Sequence, residues 1–168
     1  MEILFTLLHL LATRKVIVVT NVSKIIEQRK NDIYLQQLDE QAVLFYSRVF
    51  IEEDVAVKYL NTNLFKNKFA MSNIARIAQK MKYPNNNKIM DVLLCGLKDA
   101  NWPFFDEFID TLATSFPRNI LIKAIDDTLT KADEEEDYMW ISGIYILSEK
   151  IGANNELQNS MIFDKRDF

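Results

Sequence analysis

The sequence predicts an all-α protein with a single domain, and three observations support this. The chain has 168 residues, of which 49% are apolar, so it is about the size of one domain and can bury a core. It contains only three Gly and three Pro, whereas a β-sandwich or barrel needs such residues at its many turns. Its apolar residues recur at spacings of three and four, which is the period of an amphipathic helix.

The first apolar segment, Ile3–Ala12, is too short to cross a membrane, since a spanning helix needs about 20 apolar residues. Arg14 and Lys15 follow the segment, whereas the basic residues of a signal peptide precede its apolar part. We therefore expect a buried first helix, a cytoplasmic protein and no stable association with a membrane. The β-branched run Val16–Thr20 is also expected to be helical, because a single strand without a partner is poorly stabilised.

Six apolar stripes follow along the chain, and each predicts a helix that buries one face. The stripes are Leu38, Ala42, Phe45 and Val49 (starting from Leu35); Met71, Ile74, Ala75, Ala78 and Met81; Ile89, Val92, Leu93 and Leu97; Phe104, Phe105, Phe108, Ile109 and Leu112; Leu121, Ala124, Ile125, Thr128 and Leu129; and Trp140, Ile141, Ile144, Tyr145, Leu147 and Ser148. The last segment is apolar nearly all round, so we expect it to be buried between neighbouring helices.

Turn-forming residues separate these stripes. Pro103 and Pro117 fit the first turn of a helix, where the missing N–H costs nothing. The run Tyr83–Asn87 predicts a loop, and Gly152 suits the C-terminal end of the last long helix.

Short helices joined by short turns predict antiparallel pairs, each burying one face on the next pair. The expected architecture is therefore a HEAT-like or irregular antiparallel helical bundle, although no strict sequence period is visible. We expect residues 1–157 to form this single domain. Residues 158–168 lack periodicity and are expected to be a loosely held tail.

Charge is distributed unevenly along the chain. Residues 1–98 carry 14 Lys or Arg against 9 Asp or Glu, whereas residues 99–168 carry 6 against 15. A single run of acids is usually a solvated face, and the acids at 133–137 also suit a helix N-terminus. If acids from separate helices converge, however, they form a surface that repels nucleic acid and attracts a basic protein.

The candidate partner-binding residues follow from this second interpretation. Asp106 and Asp110 are one helical turn apart and share a face, opposite the neighbouring Phe stripe. The other acids and two aromatic residues that could anchor a partner complete the set. The full set is Asp106, Asp110, Asp126, Asp133, Glu135, Glu136, Trp102 and Tyr138.

No motif in the sequence indicates catalysis. It has no phosphate-binding Gly-rich loop, zinc-protease helix, nucleophile elbow or paired-cysteine motif. His9 lies in an apolar run, and Cys95, the single cysteine, lies within an apolar stripe and resembles a small buried hydrophobe. We therefore expect a protein that is not an enzyme and that needs no cofactor or metal.

Part of the chain resembles a known family. The runs LKDANWPFFDEFIDTL (Leu97–Leu112), ILIKAIDDTL (Ile120–Leu129) and YMWISGIYILSEKIG (Tyr138–Gly152) resemble small helical immunity proteins found beside polymorphic toxins, including contact-dependent growth inhibition systems. In that family a DxNWP segment, here Asp99–Pro103, and a Trp-containing final helix recur in HEAT-like folds. The resemblance covers about a third of the chain.

The resemblance implies an immunity protein that binds a cognate toxin domain and neutralises it without chemistry of its own. Toxin domains of this kind are often nucleases with basic active sites, which an acidic surface would suit. Two other interpretations remain open at this stage. A helical-repeat scaffold for protein–protein interactions predicts a groove of mixed character, and a metal-dependent hydrolase would use the clustered carboxylates.

Overall fold

The structure, a computed structural model, describes residues 32–166 and consists of α-helices, 3-10 turns and connecting loops with no strand among those residues. The predicted all-α fold is therefore confirmed for this part of the chain. The expectations for Ile3–Ala12, His9 and Val16–Thr20 concern residues that lie outside it.

Within residues 32–166, residues 32–35 are helical and seven further α-helices follow. They are α1 (Glu40–Glu53), α2 (Ala56–Tyr59), α3 (Ser72–Met81), α4 (Met90–Cys95), α5 (Phe105–Ser115), α6 (Arg118–Glu134) and α7 (Tyr138–Ile151). Short 3-10 turns lie at Thr62–Leu64, Lys68–Met71, Asn87–Ile89, Gly96–Lys98 and Ser160–Lys165.

The helices form two layers. Helices α1, α3, α5 and α7 pack side by side in that order, while α4 and α6 pack together behind them, α4 against α5 and α6 against α7. One hydrophobic core runs from Ile33 to Phe163 between the layers. Because α2 and α4 have only 4 and 6 residues, against 17 in α6, the stack is an irregular helical bundle.

Most of the predicted stripes are buried. The stripe of α3 lies wholly in the core, as does that of α5 with Phe104 before it. In α1 the predicted face is only partly right: Leu38, Ala42 and Val49 are buried in the core or pack against it, but the helix begins at Glu40 and Leu38 belongs to the preceding loop. The buried face of α1 is formed by Val43, Tyr46, Val49 and Phe50, whereas Phe45 is 37% exposed and Leu35 50% exposed.

The last apolar segment also differs from its prediction. Helix α7 is not buried all round: among the described residues it packs mainly against α5, α6 and the adjoining 3-10 turns, and it contacts α4 through Trp140. Its inner face holds Trp140, Ile144 and Leu147, while Met139 and Ile146 are 48% and 41% exposed.

The predicted helix ends agree with the structure within a few residues. Gly152 ends α7 with a left-handed backbone at φ 63°, and Tyr83–Asn87 forms turns. Pro117 is the N-cap of α6. Pro103 lies in the turn before α5 rather than in its first helical turn, because Asp99 accepts backbone hydrogen bonds from Asn101 and Trp102 and begins a separate turn there.

Asn73 ties the segment before α1 to α3. Its side chain is fully buried, donates to the carbonyls of Ile33 (2.9 Å) and Gln36 (2.8 Å), and accepts from the N–H of Leu38 (2.9 Å). One amide thus satisfies three backbone groups at the end of the helical residues 32–35 and in the loop that follows them.

We predict that Asn73→Ala lowers the free energy of unfolding by about 3 kcal/mol, because it leaves buried backbone groups without partners. Chemical denaturation monitored by circular dichroism measures this effect. Asn63→Ala, at an exposed position, is the control and should change stability by less than about 0.5 kcal/mol. Equal stability of the two variants would contradict the role given to Asn73.

Helix α7 approaches the 3-10 turn Gly96–Lys98 unusually closely at Gly143. A Cβ atom built on Gly143 would lie 2.0 Å from the backbone oxygen of Leu97. One turn earlier, the indole Nε1–H of the buried Trp140 donates to the carbonyl of Leu94 (2.8 Å). Together these contacts fix α7 against the end of α4.

We predict that Gly143→Ala destabilises the protein by about 3 kcal/mol, because the added methyl group must displace backbone. In an unconstrained helix the same change would stabilise by ~1 kcal/mol, since Ala has the higher helix propensity. Thermal unfolding measures the difference, with Ser142→Ala on the neighbouring, more exposed side of α7 as the control. A stabilised Gly143→Ala variant would contradict the close approach.

Candidate functional site

The structure places the predicted acidic residues in different surroundings. Asp106 and Asp110 are exposed on α5, and Asp110 forms an ion pair with Lys150 of α7. Asp127 is exposed on α6, in the other layer, and lines a groove between α4 and α6 together with Asp91. The acids of α5 and α6 therefore face different parts of the surface.

Asp126 is not available to a partner. It is only 9% exposed, and its carboxylate accepts hydrogen bonds from the backbone N–H groups of Gln158 (3.2 Å) and Asn159 (3.1 Å). Its assignment to the binding surface was therefore wrong, because the chain returns over α6 and uses this carboxylate to satisfy its own backbone.

The same contacts correct the expectation of a loosely held tail, as far as residue 166. Asn159 also donates its side-chain N–H to Thr130 (3.1 Å), and the turn Ser160–Lys165 packs on α6 and α7. Phe163 is 4% exposed and contacts the ring of Tyr145 edge-on, with centroids 5.2 Å apart. Buried aromatic area and hydrogen bonds thus hold a segment that has no helical periodicity.

We predict that Asp126→Ala lowers the free energy of unfolding by about 2 kcal/mol, because two partly buried N–H groups lose their acceptor. The variant should also expose residues 158–166 to limited proteolysis. Asp127→Ala, which removes an exposed carboxylate from the adjacent position, is the matched control and should leave both measurements unchanged. Identical proteolysis of the two variants would contradict this role for Asp126.

A compact charge network occupies the corner between α6 and α7. The ammonium group of Lys98 lies 2.9 Å from Glu135 and 3.1 Å from Asp137, and it stands over the ring of Trp140 at 4.0 Å from the centroid. Partial burial lowers the pKa of Lys98, but its hydrogen bonds to the two carboxylates outweigh burial and raise the pKa overall. Asp137 also caps α7 by accepting from the N–H of Trp140 (3.0 Å). Glu135 is therefore partly neutralised within the fold.

The other acids of this corner differ in whether they form an ion pair with a basic residue. Asp133 forms an ion pair of 2.6 Å with Lys165, and this hydrogen bond is the main cause that raises the pKa of Lys165. Glu136 is exposed, has a positive φ of 53° and forms no ion pair within residues 32–166. Exposed ion pairs exchange easily with solvent and contribute little to stability.

The two aromatic residues predicted as anchors are in different positions. Trp102 is half-buried, packs on Phe104 with ring centroids 5.0 Å apart, and carries Lys68 over its ring at 5.1 Å. It therefore belongs mainly to the packing between α5 and the loops. Tyr138 opens α7 and is 44% exposed, so its ring is accessible to a partner.

Sequence reasoning missed the exposed apolar surface of α7, which we call the α7 face: Tyr138, Met139 and Ile146. These residues are 44%, 48% and 41% exposed. Met139 and Ile146 are seven positions apart, which places them on the same side of the helix, and Tyr138 is adjacent to Met139 in sequence. The ion pair between Lys150 and Asp110 places this face beside the acids of α5. The sequence does contain a signal for this surface. The segment that forms α7 is apolar nearly all round, yet the last long helix of a bundle has no further helix to cover its outer side.

The remaining concave surfaces have mixed linings. The groove between α4 and α6 is lined by Cys95, Lys131 and Trp140, and burial raises the pKa of the half-buried Cys95 thiol.

Within residues 32–166, no three His, Cys, Asp or Glu side chains form a cluster suited to a metal ion. No helix in the described range has the length and apolar character needed to span a membrane.

A protein family described as a domain of unknown function (DUF5071) matches residues 64–161. The match includes α3 to α7 and ends within the last 3-10 turn, so α1 and α2 lie outside it. No curated protein and no solved structure matches the chain. Because the match covers more than half of the chain, the protein belongs to the DUF5071 family.

Proposed function

We propose that this member of the DUF5071 family is a cytoplasmic immunity protein. It binds a cognate toxin domain, most simply a nuclease with a basic active site, and neutralises it without catalysis. Binding would either cover the substrate site or prevent substrate from entering it.

The observation that carries this proposal is the excess of exposed acids over bases in the C-terminal half, although the acids of α5 and α6 face different parts of the surface. Residues 99–166 contain 14 Asp or Glu against 6 Lys or Arg. Most of these acids are exposed, and within the described residues Asp106, Asp127, Glu134 and Glu136 form no ion pair. Such a surface repels nucleic acid and accelerates association with a basic protein.

The resemblance to immunity proteins supports the same function. Its three segments form α5, α6 and α7 with the turns before them, and all lie inside the region that the family matches. A basic nuclease site binds phosphates, so exposed carboxylates can occupy the same site and exclude the nucleic acid. Specificity would come from the pattern of charges, since a mismatched pair is penalised.

A scaffold for protein–protein interactions is the second candidate function. The groove between α4 and α6 favours it, because Asp91 and Asp127 alternate there with Lys123 and Lys131. A groove of mixed charge suits a partner without strong net charge, whereas the α5–α7 side suits a basic one. The two functions thus predict different binding surfaces.

We predict that co-expression of this protein protects cells from the C-terminal domain of the polypeptide encoded immediately upstream. The purified pair should form a complex whose association rate falls as salt is added, because exposed carboxylates attract the basic partner. Asp106→Asn combined with Asp110→Asn should slow association about tenfold at low ionic strength.

The matched control is Asp32→Asn combined with Glu52→Gln, which removes two exposed acids at the α1 end of the stack. It should leave the association rate unchanged. Failure to protect, or an association rate that is insensitive to salt, would contradict the proposed function. Asp126 is left intact in these variants because its carboxylate holds residues 158 and 159.

A further inference from the structure

We infer that the α7 face is the apolar centre of the contact with the toxin domain, an inference that rests on the proposed function. The partner surface that fits it is an apolar patch surrounded by Lys and Arg. The α7 face supplies buried apolar area, while the surrounding carboxylates supply the charge that selects a basic protein.

The α7 face consists of three large exposed side chains, with Ser142 between Tyr138 and Ile146 along the helix. Tyr138, Met139 and Ile146 are all more than 40% exposed, although the same helix buries Trp140, Ile144 and Leu147 completely or nearly so. Large apolar side chains that are grouped on one helix face, rather than scattered singly, are typical of a surface that a partner covers.

Carboxylates surround the α7 face on several sides. Asp106 and Asp110 lie along the α5 side, Glu136 precedes the helix, and Glu149 is exposed near its other end. Bases also lie beside this helix, but most are paired with acids: Lys150 with Asp110, Lys165 with Asp133 and Arg118 with Glu156, while Arg166 stands over the ring of Tyr145 at 4.4 Å. An apolar centre with a charged rim is the usual arrangement of a specific protein interface, and the sign of this rim repels both nucleic acid and anionic lipid.

The second exposed apolar face, on α1, does not fit a basic partner. Its members Leu44, Phe45 and Ile51 surround the exposed Arg48 on the helix surface. It also lies outside the region that the family matches. The α1 face therefore offers a control of similar exposure and different charge.

Helix α7 holds its face in a fixed position. Trp140 and Gly143 attach the opposite side of the helix to α4 and to the turn Gly96–Lys98, and Asp137 caps its first turn. Because the helix is already ordered, a partner would not need to order it on binding, and little affinity would be lost to conformational entropy.

The test compares two double variants in binding to the catalytically inactivated C-terminal domain of the polypeptide encoded upstream. Met139→Gln with Ile146→Gln removes apolar surface from α7 without adding charge or lowering helix propensity. Leu44→Gln with Ile51→Gln does the same on α1, where these residues are 41% and 38% exposed. We expect the α7 variant to bind at least tenfold more weakly, mainly through faster dissociation, and the α1 variant to bind like the wild type.

Hydrogen–deuterium exchange of the wild-type complex provides a second measurement that does not depend on a variant. Side chains of the partner should protect the amides of residues 138–149 beyond their protection in the free protein. A complex that forms and protects cells, but in which the α7 variant binds normally and these amides exchange unchanged, overturns the inference and leaves the proposed function standing. If the wild type neither binds nor protects, the proposed function fails and this inference fails with it.

Discussion

The attachment of α7 to the end of α4 is the contact on which the C-terminal half depends. Gly143 lets the helix approach the carbonyl of Leu97 to a distance at which no side chain fits, and the indole of Trp140 satisfies the carbonyl of Leu94. Lys98 is thereby brought over the indole and between Glu135 and Asp137. Packing therefore positions the helix, and the charge network at the corner is a consequence of that packing. Exposed ion pairs alone would be too weak to position a helix.

The acids of the C-terminal half have two distinct physical roles. Asp126 and Asp137 accept hydrogen bonds from backbone N–H groups, which is a structural use of a carboxylate at a chain reversal and at a helix start. Within the described residues, Asp106 and Glu136 accept no such bond and are exposed, although Asp106 lies in the first turn of α5, where a carboxylate is favoured by the helix dipole. Neither carboxylate is used to satisfy a backbone group, which leaves both available for the recognition proposed above.

The sequence predicted what depends on local periodicity and missed what depends on distant partners. The stripes of α3 and α5 identified their buried faces because both helices keep one register and pack on both neighbours. The face of α1 was only partly identified: Leu38 and Val49 are buried, but Leu38 lies before the Asp39 cap and outside the helical register, and Phe45 is exposed. Asp126 could not be distinguished from Asp127, since its partners lie 32 and 33 residues further along the chain in a segment without periodicity.

The outer surfaces of α3, inside the layer, and of α7, at its end, differ in composition. Both helices belong to the same layer, but the more exposed positions of α3 carry Arg76, Gln79 and Lys80. The terminal helix of a helical stack normally has a polar outer face, because it has no further neighbour to cover it. Helix α7 instead exposes Tyr138, Met139 and Ile146 where polar residues would fold equally well. Helix α1, at the other end of the same layer, also exposes large apolar residues, namely Leu44, Phe45 and Ile51, so the feature that distinguishes α7 is the acids beside it rather than the exposure itself.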